Sequence, residues 1–129
     1  VWTKILLVMA GGALGALCRY GIGLASSRLF GPGFSWGTFI ANMVGCFLVG
    51  ILFSLSGRWT FLTPSVRLLL MTGFLGALTT FSTYALETVA AARTGNLGIA
   101  LANLVASNAA GLILVLSGIG FAHLLLRGR

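Results

Sequence analysis

Ionisable groups are so few in this chain that most chemistry is closed to it. Glu87 is the only carboxylate, His123 the only imidazole and Lys4 the only lysine, beside seven arginines. Acid–base work by paired carboxylates, a Ser–His–Asp set and a clustered metal site each need partners that are absent, so the composition reads as a non-enzyme. What remains is neutral: hydroxyls, amides, backbone carbonyls and aromatic rings. They are densest from Thr72 to Tyr84, where Gly73 and Gly76 stand among Thr72, Thr79, Thr80, Ser82 and Thr83. Two further pairs have helical spacing. Thr38 and Asn42 are four apart, as are Asn103 and Ser107, with Gly111 continuing the second row and Asn108 lying off it. Residues four apart share a helix face. Such groups can take the place of water around an ion or tie helices to one another.

The elements that carry these residues follow from composition. Apolar residues make up 58% of the 129 and charged residues 7%, against about 25% charged in a soluble domain. The solvent is therefore lipid, and about 20 apolar residues suffice for one helical crossing. The charges divide the chain into four such runs, near 5–24, 36–55, 68–92 and 99–126, with short connections at 26–35, 56–65 and 93–98. This predicts an all-α integral membrane protein of four transmembrane helices in a single domain, residues 1–129. The first run is too long, and too poor in a small-residue cleavage site, for a secretory leader. Trp2, Trp36 and Trp59 fit aromatic belts, and His123 fits an interface. Cys18 and Cys46 fall inside apolar runs and read as packing residues. The formal charge of +7 is dispersed singly at the ends of apolar runs, a pattern of membrane anchors and not of nucleic-acid binding.

At mid-bilayer depth the third run is expected to be a broken helix or a bent one. A broken helix frees backbone groups that survive only inside protein or beside water, and is the recurring pointer to an ion site. A bent helix would have its Ser and Thr hydroxyls bonded to the preceding turn. The Thr38–Asn42 and Asn103–Ser107 pairs likewise read as interhelical glue or as a permeation track. Arg19 follows fourteen uncharged residues; it either lines an anion-attracting vestibule or snorkels to headgroups. Glu87, about one turn from the end of the third run, suits a gating or interfacial hydrogen-bonding role better than a mid-membrane cation site.

Four spans put Lys4, Arg58, Arg67, Arg127 and Arg129 on one side and Arg19, Arg28 and Arg93 on the other. So small a bias orients the chain poorly. Copies inserted both ways up could pair antiparallel, giving eight helices related as inverted repeats are in larger transporters. Small residues four apart, at Gly11 and Gly15, Gly12 and Ala16, Ala41 and Gly45, Cys46 and Gly50, and Ala106 and Ala110, would permit close helix contacts.

The string Gly73-Phe74-Leu75-Gly76-Ala77-Leu78-Thr79-Thr80-Phe81-Ser82-Thr83-Tyr84, followed by Glu87, resembles the signature of the small bacterial fluoride channels, the Fluc or CrcB family. So do Gly11 to Ala16 leading to Arg19, and Trp36 to Asn42. The resemblance spans essentially the full chain. It implies an antiparallel, dual-topology homodimer in the bacterial inner membrane, with the third helix broken at mid-membrane and two fluoride pores along the subunit interface. The implied partners are fluoride, sodium, membrane lipid and a second copy. By the same resemblance a structural sodium lies at the dimer centre on the backbone carbonyls of Gly76 and Thr79. The pore aromatics fall on Phe81 and Tyr84, the second-helix donor on Asn42 with Thr38 before it, the polar-track hydroxyl on Ser107 and the vestibule arginine on Arg19. Thr83 and Asn103 complete the expected ion pathway, and Glu87 stands beside it.

The chain departs from that pattern at Tyr84, where phenylalanine is usual, and at Asn103 and Gly111, where some relatives carry Tyr and Ser. Ring rims are electropositive, so an anion can rest against them without a full charge partner; a phenol adds a donor. Two other functions fit four spans. A dual-topology, proton-coupled exporter of small cationic compounds needs a carboxylate at mid-depth, and Glu87 is peripheral. A non-transporting subunit would use its polar residues only as glue.

Overall fold

A computed structural model describes residues 1–127; Arg129, counted above with the basic residues of the termini, lies outside them. The described chain is all helical. Helix α1 spans Trp2–Phe30 and α2 spans Trp36–Leu55. The third span is composite: α3 (Pro64–Arg67), a π-helical segment (Leu68–Leu75), α4 (Gly76–Leu78) and α5 (Phe81–Arg93). Helix α6 spans Leu97–Arg127. All four spans are long and apolar enough to cross a membrane.

The expected boundaries hold for α2 and shift elsewhere. Helix α1 continues to Phe30, past the expected stop near residue 24, because Ala25 to Leu29 contain no breaker; Gly31, with φ of 70°, ends it. A left-handed residue there favours glycine. An aromatic cluster then fixes the turn: Trp36 lies 5.1 Å from Phe30 and 4.9 Å from Phe34, measured between ring centroids. The third span begins at Pro64, with Thr63 as its N-cap accepting from the Val66 N–H. Proline at the first helical position and a threonine cap before it are the usual start of a helix.

Glycine decides how closely the spans approach. A Cβ at Gly11 would strike the Leu69 carbonyl and one at Gly15 the Phe74 carbonyl. Helix α1 thus lies backbone to backbone against the π-helical segment, whose Gly73 faces Val8 and Gly11 in return. The other close crossing joins α2 to α6, where Gly50 abuts the Val115 carbonyl and Gly118 the Phe47 carbonyl. Of the expected small-residue pairs, Gly11 and Gly15 pack within the subunit, as do Gly45 against Thr79 and Cys46 against Gly111, whereas Gly12 meets nothing. Gly118 belongs to no pair read from the sequence. Small apolar clusters fill the remaining contacts, one of Ala41, Leu75 and Leu78, the other of Leu55, Leu62 and Ala122.

Candidate functional site

Between α4 and α5 the third span is interrupted. Thr79 (φ −85°, ψ 153°) and Thr80 (φ −151°, ψ 117°) are extended, midway between Pro64 and Arg93. The helix is interrupted and not merely bent, although the Thr79 hydroxyl donates back to the Leu75 carbonyl at 2.9 Å, the bond expected of the unbroken alternative. The break survives because one amide closes it. Asn42 Oδ1 accepts from the Thr80 N–H at 2.8 Å, and its Nδ2 donates to the Thr80 carbonyl at 3.1 Å. Backbone groups inside lipid must find partners, and Asn42 pairs with both the N–H and the carbonyl of Thr80. Gly45 makes room, since a Cβ there would collide with Thr79 Cγ2.

Helix α5 starts afresh at the break. The Thr80 hydroxyl caps it, accepting from the Thr83 N–H at 3.2 Å and donating to Thr83 Oγ1 at 3.0 Å. The N-terminus of α5 brings positive partial charge to this level, and the C-terminal end of α4 brings negative partial charge. Phe81 and Tyr84, on the first turn of α5, form a tilted ring pair with centroids 5.6 Å apart. Phe81 is 79% exposed and Tyr84 only 7%.

Two cavities flank the break. The inner one, about 440 Å³, is lined by Asn42, Gly76, Thr79, Thr80, Phe81, Tyr84, Ser107 and Asn108 among apolar neighbours, with no charged residue in its wall. It gathers Asn42, Phe81, Tyr84 and Ser107 of the expected pathway, half of that set, and both residues expected to offer carbonyls to a cation. The outer one, about 810 Å³, is lined by Arg19, Thr38, Thr80, Thr83, Glu87 and residues of the 31–37 turn. Arg19 lies eleven residues inside α1, farther from its end than expected, and the outer cavity meets it there. Glu87 Oε1 accepts from the Thr38 hydroxyl at 2.9 Å, while Oε2 is buried without a hydrogen-bond partner among the described residues.

Asn103 lines neither cavity; it is 4% exposed and links helices. Its Nδ2 donates to the Thr88 hydroxyl at 2.8 Å, which donates to the Tyr84 carbonyl at 2.8 Å, and its Oδ1 accepts from Ser107 at 3.1 Å. Ser107 therefore faces the inner cavity with its proton already committed to Asn103. Sequence reasoning missed Thr88, whose spacing of four from Tyr84 was the available signal. It also gave no role to Thr80, which borders both cavities.

The carbonyls expected to hold a cation suit one. In an unbroken helix the Thr80 N–H would serve the Gly76 carbonyl, but here Asn42 takes it. Helix ends leave their last carbonyls free, and carbonyl oxygens are donors for hard cations. Gly76 is exposed and Thr79 half-buried on the same cavity wall.

The family model for the CrcB-like protein, Camphor Resistance (CrcB), matches residues 6–119. A fluoride-specific ion channel FluC of Salinibacter ruber is 46% identical over 125 residues, covering 97% of this chain and 93% of the relative. Its counterpart in Chloroflexus aurantiacus is 43% identical, covering 94% and 96%, and that of Agrobacterium fabrum 40%, covering 93% and 96%. The match takes in all four spans and the break with both its cavities: the chain belongs to the CrcB-like family.

Proposed function

We propose that the chain is a fluoride-selective channel that lets cytoplasmic fluoride leave a bacterium through its inner membrane, down the gradient, and so lowers fluoride toxicity. The observation that carries this reading is the inner cavity, where Asn42, Phe81 and Tyr84 meet at a helix break in a wall without fixed charge. A small, strongly hydrated anion must exchange water for donors at each step. Amide and hydroxyl hydrogens and electropositive ring rims can serve, and the start of α5 adds its partial positive charge. Arg19 and the outer cavity form the approach. The relatives named as fluoride-specific channels support the choice of ion.

The channel is an antiparallel, dual-topology homodimer with two pores along its interface. Supporting this, Gly76, Phe81 and Asn108 are all exposed on the single chain, beside the inner cavity. An amide such as Asn108 facing acyl chains is costly, and a second copy would cover it. Sodium would be held by the carbonyls of Gly76 and Thr79, where it would supply positive charge at the helix end.

Purified protein in vesicles loaded with fluoride or chloride tests the proposal. Fluoride release at an ion-selective electrode, without chloride release, is the expected result. Equal release of both ions overturns the selectivity, and release of neither overturns the channel.

A further inference from the structure

Hydroxyl protons around the inner cavity can be assigned one by one. Thr79 gives its proton to the Leu75 carbonyl and Thr80 its own to Thr83. The direction at Ser107 is fixed by a relay. Thr88 must donate to the Tyr84 carbonyl, so it accepts from Asn103 Nδ2, which leaves Asn103 Oδ1 to receive the Ser107 proton. Tyr84 differs. Asn108 Nδ2 donates to the Leu104 carbonyl at 2.7 Å, which fixes which end of that amide faces inward, and its second hydrogen goes to the Tyr84 phenol oxygen at 3.0 Å. The phenol oxygen is thus an acceptor in this contact. Its own proton meets no acceptor among the described residues.

We infer that Tyr84 presents the uncommitted hydroxyl proton of the inner cavity to the permeating anion, and that Asn108 is the positioning residue that keeps it free. The inference rests on the channel reading above and makes Tyr84 a determinant of how tightly the ion is held. An amide oxygen at 108 would draw the phenol proton to itself; the Leu104 carbonyl prevents that by holding the nitrogen end forward. A donor on the rim of a 7% exposed ring is desolvated, and hydrogen bonds to charged groups gain most in such places.

Fluoride release from vesicles is measured against fluoride concentration for wild type, Tyr84→Phe, Asn108→Leu and the double variant. Tyr84→Phe keeps the ring and loses the proton, and its half-saturating concentration is expected to rise about tenfold. Asn108→Leu should raise it less, and should add nothing in the Tyr84→Phe background, whereas a merely structural role would act equally in both. Half-saturation within twofold of wild type in both single variants overturns the inference while leaving the channel standing. Absence of release from wild type removes the channel and this inference with it. Should Tyr84→Phe fail to assemble, a fluoride titration followed by near-ultraviolet tyrosine absorbance replaces it, Tyr20 and Tyr84 being the only tyrosines. The expected change is present in wild type and moves to higher fluoride concentration in Asn108→Leu; no change in wild type overturns the inference.

Discussion

Asn42 shows how one side chain can have two duties. By type and spacing it reads as glue or as part of a pathway, and by family resemblance as a donor; it does border the inner cavity, yet both ends of its amide hold the backbone of Thr80. Asn42→Ala would strand the part-buried Thr80 N–H, costing about 1–3 kcal/mol, and take one donor from the Thr80 carbonyl. Thermal unfolding in detergent should show that loss, together with abolished flux. Asn42→Asp, which can still accept from the Thr80 N–H, should unfold later than Asn42→Ala. Thr38 and Glu87 form a second such contact. Thr38→Val leaves both carboxylate oxygens without a protein donor, so fluoride release should fall while assembly on size-exclusion chromatography is retained. The residues at these positions were legible from type and spacing. Their partners were not, because a hydrogen bond between α2 and the break joins residues 38 positions apart, and no local pattern records that.

At the level of helices, composition sufficed for the four spans and for trouble in the third. Gly73, Gly76 and a run of hydroxyls between apolar stretches have no use on a lipid-facing helix. The π-helical winding of Leu68–Leu75 was not legible, since Leu68 to Met71 are ordinary α-helix formers. Wide turns of this kind cluster at functional sites, and here Gly11 and Gly15 let α1 lie against that backbone. Gly11→Ala or Gly15→Ala must push rigid backbone aside. Overpacking typically costs about 1–3 kcal/mol, and the two variants should unfold earlier than wild type by differential scanning fluorimetry. Gly12→Ala, one residue from Gly11 with open space beside it, should leave the transition where it was. The same spacing rule nominated Gly12 and Gly15 alike, because periodicity marks faces without saying which face meets a neighbour.

For the whole molecule the charge balance makes the strongest prediction. With basic residues so evenly divided between the two ends of the spans, two added lysines in the 31–35 turn should fix one orientation, and two near the N-terminus the other. If the working unit needs both orientations, each variant alone should fail to protect cells from fluoride, and co-expression should restore protection. Growth in graded fluoride measures this; protection by either variant alone would remove the antiparallel pair. Such pairing leaves little mark on the sequence of one chain, since both orientations place the same four spans in the same lipid.

The wide winding of residues 68–75 has a mechanical consequence. It leaves the chain with slack ahead of the break, so the facing of everything beyond depends on how those turns are wound. Deleting one residue from the segment changes how those turns wind, and with it the facing of the helix beyond. The rings at 81 and 84 would swing away from Asn108 and Ser107 while the polypeptide still threaded the bilayer four times. Such a deletion should therefore yield a protein that inserts and purifies normally yet conducts nothing, separating the wall of the pore from the scaffold that holds it.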